Sequence, residues 1–202
     1  MSEMKGTAEA KSKINIVVIF GGRSGEHAVS LESAKFVLSQ LDPKKYAITQ
    51  VGITRSGEWF TGKKALAGLK AEDYSGLKRA VILPLPGDSG LYKINEEGML
   101  ALLTEIDVVF PVLHGTFGED GTLQGLLEMV DLAYVGSGVT GSSTGMDKMV
   151  FFDLMRANQI PVVDTVLVLR SEIEEDMQSV MDRVEGLGEY PYFVKPANLG
   201  SS

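Results

Sequence analysis

Residues 14–22 read Ile14-Asn15-Ile16-Val17-Val18-Ile19-Phe20-Gly21-Gly22. Apart from Asn15, the first seven are β-branched or aromatic and offer apolar side chains to both faces of a strand. That is the pattern of a strand buried inside a parallel sheet, not of one lying half in water. The glycine pair ends the run, and a helix is expected to follow. Leu31, Ala34, Val37, Leu38 and Leu41 recur at helical spacing, with Ser30 as candidate N-cap and Asp42-Pro43 as the stop. Residues 46–54 supply a second strand, which completes the β-α-β unit from which doubly wound α/β sheets are built.

Outward from this unit the pattern weakens and then returns. Residues 55–61 read as a turn leading into a short strand, and residues 80–84 and 91–94 as further short strands around Pro86-Gly87-Asp88. Residues 106–113 restore the buried-strand pattern. They run into His114-Gly115-Thr116-Phe117-Gly118-Glu119-Asp120-Gly121 and then a helix over residues 122–130. Glycine-rich loops at residues 21–30 and 114–122 therefore leave the carboxyl ends of parallel strands, where ligands bind in open α/β sheets. The Gly- and Ser-rich stretch 134–144 is read as a domain boundary. This gives a leader over residues 1–13, expected to be disordered, an N-terminal domain over 14–140 and the first part of a second domain over 141–202. In the second, helices are expected over 146–158 and 172–185 and strands over 162–169 and 192–194. Ser171 and Glu174 are read as a capping box for the later helix, with Ile173, Met177, Val180, Met181 and Val184 on its apolar face.

Composition narrows the function classes. Nineteen Lys and Arg against twenty-seven Asp and Glu leave a net charge of -8, so a nucleic-acid partner is not expected. No apolar run is long enough to span a bilayer, and a membrane partner is not expected either. The absence of cysteine and the presence of only two histidines argue against disulfides and a zinc centre, and make the cytoplasm the default compartment.

Four residues stand where they could carry chemistry. Glu26 ends the loop Gly21-Gly22-Arg23-Ser24-Gly25. It reads either as a carboxylate favoured by the helix dipole or as an anchor for a substrate ammonium. The loop lacks both the spacing of a dinucleotide fingerprint and the Lys-Ser or Lys-Thr of a P-loop. His114 reads as a packing residue at a strand end or as a group beside a substrate. Lys148 lies in the first turn of a helix, where its charge opposes the dipole, so it is either simply solvated or holds a phosphate with the helix terminus. Lys195 precedes Pro196 and a glycine-serine turn, an arrangement suited to a phosphate.

Taken together, Phe20-Gly21-Gly22 with Ser24, Glu26 and Ser30, then His114-Gly115 with Gly118-Glu119-Asp120-Gly121 and Gln124-Gly125, then Met146-Asp147-Lys148, then Lys195-Pro196 with Gly200-Ser201-Ser202 resemble the D-alanine–D-alanine ligases of the ATP-grasp superfamily. The resemblance covers the chain from Ile14 onward. It implies a Rossmann-like parallel-sheet N-terminal domain followed by the first part of an ATP-grasp α+β domain. It also implies ATP-dependent ligation of two D-alanines through an acyl phosphate for peptidoglycan synthesis, and a homodimer. By the same resemblance Glu26 binds the first substrate's ammonium and His114 lies beside that substrate. Lys148 and Lys195 neutralise ATP phosphates, and Ser201 belongs to the loop that closes over the site. The family's Mg2+ ligands are expected beyond residue 202, so these residues alone are expected to be inactive. The alternatives are another ATP-grasp carboxylate-amine ligase, such as a D-alanine–D-lactate type, and a Rossmann-type dinucleotide-binding module.

Overall fold

The computed structural model describes residues 13–200. The leader expected over residues 1–13, all but its last residue, and the candidate Ser201 lie outside the described residues. The elements run β1 (Ile14–Gly21), α1 (His27–Gln40), β2 (Tyr46–Ile53), β3 (Trp59–Thr61), α2 (Ala65–Ala71), β4 (Lys78–Ile82), β5 (Gly90–Ile94), β6 (Leu100–Glu105), β7 (Val108–Leu113), α3 (Thr122–Met129), α4 (Val139–Met146), α5 (Lys148–Ala157), α6 (Arg170–Glu175) and α7 (Met177–Glu185).

One sheet carries all seven strands in the order β6-β5-β4-β3-β2-β1-β7. Its parallel part is β2-β1-β7, and β3 to β6 extend it antiparallel. β1, the middle strand of the parallel part, is buried on both faces, as its composition predicts. Val17 and Ile19 join a core with Leu123 and Leu127 of α3, while Val18 and Phe20 join one with Leu31 and Ala34 of α1 and Leu69 of α2. This alternation places helices on both faces of the sheet.

The register brings Gly21 level with Ile53 on one side and Leu113 on the other, so three strands end along one line. Gly21 has φ +90°, and a Cβ there would lie 2.2 Å from the Ile53 carbonyl oxygen. Only glycine allows the chain to leave the sheet at this point.

Several local expectations are corrected. The first helix begins at His27, and Ser30 is buried inside it instead of capping it. The Ser30 hydroxyl accepts the Gly21 N–H at 2.8 Å and donates to the Val112 carbonyl, tying α1 to β1 and β7. The helices α2 and α4 and the strand β6 were not expected; α4 begins inside the Gly- and Ser-rich stretch 134–144, and the helix expected over 146–158 starts at Lys148 as α5. Residues 162–169 and 192–194 form no strand, because a ladder needs a neighbouring strand and none pairs with them among the described residues. Residues 172–185 divide at Asp176, whose carboxylate caps α7 through the N–H groups of Gln178 and Ser179. At α6 it is Glu172, not Glu174, that reaches back, accepting the Leu169 N–H at 2.7 Å. Of the apolar face expected there, only Val180 is buried. Asp147 separates α4 from α5 and caps the latter through Met149 and Val150.

Candidate functional site

Because β1 and β7 are parallel neighbours, the loops at their carboxyl ends lie side by side and bond to each other. The Ser24 hydroxyl donates to the His114 carbonyl at 2.7 Å and accepts the Glu26 N–H at 3.1 Å. The Thr116 hydroxyl donates to the Arg23 carbonyl at 3.3 Å, and the Arg23 guanidinium lies 4.8 Å from the centre of the Phe117 ring, within cation-π range.

The second loop is held from within by its own acids. Glu119 accepts the Gly115 N–H at 2.6 Å. Asp120 accepts the N–H of Phe117 at 2.8 Å and of Thr122 at 3.0 Å. Burial raises the Asp120 pKa, but the hydrogen bonds from Phe117 and Thr122 outweigh it, and the net shift is below the ordinary carboxylate range. Buried Gln124, on α3, donates from Nε2 to the Gly118 carbonyl at 2.9 Å.

Glu26 occupies the N-cap position of α1, yet its side chain makes no capping bond. The carboxylate instead lies against two glycine backbones. A Cβ on Gly115 would fall 2.7 Å from Glu26 Oε2, and one on Gly200 would fall 2.2 Å from it. Both positions thus admit the carboxylate only because they lack side chains.

His114 is half-buried at the end of β7. Its Nε2 is 2.9 Å from the Ser33 hydroxyl on α1, and its Nδ1 is 4.0 Å from a Glu119 oxygen. Lys148 opens α5. Its Nζ donates to the carbonyls of Leu199 at 2.8 Å and Gly200 at 3.2 Å, and its backbone N–H donates to Ala197 at 2.9 Å. Glu26, His114 and Lys148 are thereby gathered through Gly115 and Gly200. Lys195 is exposed and does not end a strand, and of these four residues only Lys148 lines the neighbouring cavity.

The cavity has a volume of about 530 Å³. Its walls include Leu113, Glu119, Gln124, Ser142, Lys148 and Gly200. Among the described residues no group of three or more His, Cys, Asp or Glu side chains could hold a metal ion, and no helix is long and apolar enough to cross a membrane.

Sequence reasoning missed the roles of Ser24, Ser33 and Gln124. Only Gln124 carried a signal, as the one polar side chain within Leu123-Gln124-Gly125-Leu126-Leu127. His27 is buried, with Nδ1 2.8 Å from the Gly22 carbonyl oxygen.

Residues 15–137 match the family model described as D-ala D-ala ligase N-terminus, and residues 154–202 match the one described as D-ala D-ala ligase C-terminus. A D-alanine–D-alanine ligase of Natranaerobius thermophilus is 44% identical over 191 residues, covering 94% of this chain and 52% of that protein. The chain thus spans about half the length of the curated relatives it matches. Among solved structures, the VanG D-Ala:D-Ser ligase of Enterococcus faecalis superposes with a TM-score of 0.76 at 36% identity, over 94% of this chain and 54% of that one. The D-alanine–D-alanine ligase of Coxiella burnetii gives 0.72 at 36% identity, over 94% and 53%.

Proposed function

This chain belongs to the D-alanine–D-alanine ligase family, and from that premise we propose that a full-length protein carrying it joins two D-alanines with consumption of ATP. The γ-phosphoryl group of ATP passes to a carboxylate oxygen of the first D-alanine, and ADP leaves. The amine of the second D-alanine then attacks the acyl carbon. A C–N bond forms, phosphate departs with the C–O electron pair, and the amine gives up a proton.

The observation that carries this reading is the placement of Glu26. Its carboxylate is released from helix capping and set between the backbones of Gly115 and Gly200, an arrangement suited to a substrate ammonium. His114, steadied by Ser33, would flank that substrate. Lys148 would meet the phosphates at the N-terminus of α5, where ammonium and helix dipole both favour an anion. Lys195 and Ser201 would act from the 195–202 segment, Lys195 on phosphate charge and Ser201 in the closing loop. Exclusion of water by that loop would protect a hydrolysable acyl phosphate. Magnesium would supply charge neutralisation during phosphoryl transfer, and it is assigned no ligand among the described residues. We place the activity in the cytoplasm, in a homodimer, and in peptidoglycan synthesis.

The test is Glu26→Gln in the full-length protein. Losing a charge-assisted bond of about 1.5 to 3 kcal/mol raises the KM for the first D-alanine by about tenfold to a hundredfold, with the KM for ATP unchanged. Equal loss for both ligands returns Glu26 to a structural role at the start of α1.

A further inference from the structure

The loops after β1 and β7 meet through contacts of two kinds. The Ser24 and Thr116 hydroxyls each reach across to a backbone carbonyl. The other contact is made by side chains of both loops: the Arg23 guanidinium lies 4.8 Å from the centre of the Phe117 ring. Arg23 makes no ion pair among the described residues. Its stem lies across the turn between β2 and β3, where a Cβ on Gly57 would fall 2.6 Å from Arg23 Cδ. One exposed arginine thus links the loops that leave the parallel strands β2, β1 and β7.

Phe117 is a costly partner for it. Its φ is +63°, in the left-handed region where a bulky residue is strained and glycine is not. Burial does not offset that strain, since Phe117 is 43% exposed. Its N–H bonds Asp120 at 2.8 Å, a contact that glycine would make equally well. What the ring adds is the contact with Arg23, and strain held at a site for one contact points to function.

We propose that Arg23 and Phe117 are positioning residues, whose cation-π contact holds the Glu26 loop at its distance from Gly115. Glu26 follows Arg23 by three residues, and its carboxylate lies against Gly115, two residues before Phe117. The pair therefore clamps both sides of the gap in which that carboxylate sits. The proposal rests on the ligase reading, in which Glu26 binds the first D-alanine.

The test is steady-state kinetics of the full-length protein, with D-alanine and ATP varied in turn, beside the melting temperature of each variant. The variants are Phe117→Gly, Phe117→Ala, Phe117→Tyr, Arg23→Ala, Arg23→Ala with Phe117→Gly, and Glu26→Gln. Glycine and alanine both remove the ring, but only glycine also removes the strain, so Phe117→Ala should melt below Phe117→Gly. Both should nevertheless raise the KM for the first D-alanine by the same factor, about twofold to fivefold for an exposed contact of this kind, with the KM for ATP unchanged. Phe117→Tyr keeps the ring and should keep the wild-type KM. The double variant should be no worse than Arg23→Ala alone. A D-alanine KM that stays at the wild-type value in Phe117→Gly, that follows the melting temperature, or that rises in the double variant by the product of the single effects overturns the proposal. If Glu26→Gln raises that KM and Phe117→Gly does not, this proposal alone fails; if neither does, the Glu26 reading fails with it.

Discussion

Ser30 shows how a single hydroxyl joins three elements at the edge of the site. It receives the Gly21 N–H and donates to the Val112 carbonyl with no exposure to water. Ser30→Ala strands a buried donor and a buried acceptor together, and is expected to destabilise by about 2–4 kcal/mol by denaturant unfolding, since each orphaned group costs about 1–3 kcal/mol. A loss below about 0.5 kcal/mol, the ordinary range for surface substitutions, would show that neither group depends on Ser30. Lys148 differs, because its ammonium holds only carbonyls that water can also serve at the surface. Lys148→Met should weaken nucleotide binding or slow turnover in the full-length protein while the melting temperature stays within a few degrees. Unchanged ATP binding and turnover would reduce Lys148 to a loop tie.

Among the elements, the loop after β7 is the most densely self-bonded part of the site, and Asp120 gives it a pH dependence. Its folded pKa lies below the unfolded value of about 3.9. The carboxylate therefore contributes stability that is fully present above that value and lost as pH falls through the folded pKa. Partial exposure discounts the size of the effect. Asp120→Asn should thus melt below wild type at neutral pH, with the difference shrinking in strong acid; a difference that grows on acidification would contradict this.

The same elements explain what the sequence revealed. β1, β2, α1, β7 and α3 were legible because burial on one or two faces imposes a periodicity on their residues. The loop pair was legible because glycine and acid punctuate the strand ends. α2 and β6 escaped because they are short, and β6 is an edge strand with Leu100, Leu102 and Leu103 exposed, so burial leaves no alternation to read. The expected strands over 162–169 and 192–194 failed for another reason: apolar composition marks a segment that can pair, while pairing needs a neighbour. In the site, Glu26, His114 and Lys148 stood out by position at a strand end and at helix starts, while the roles proposed for them come from the family resemblance. Gln124 showed only as a polar side chain among apolar ones, because an amide acquires its meaning from the groups that surround it.

Across the whole molecule, parallel pairing of β1 with β7 sets two loops side by side, and the 197–200 segment, bonded to Lys148 of α5, lies against them. Glu26, His114 and Lys148 come from three separate stretches of chain and meet through Gly115 and Gly200. In the proposed function this meeting point serves ATP-dependent joining of D-alanine by a full-length protein. The most direct measurement is ADP release and dipeptide formation by the full-length protein and by residues 1–202, with ATP and magnesium, with and without D-alanine. ADP and D-alanyl-D-alanine are expected in equal amounts from the full-length protein only when D-alanine is present, and neither from residues 1–202. ADP release that ignores D-alanine in the full-length protein, or dipeptide formed by residues 1–202 alone, would contradict it.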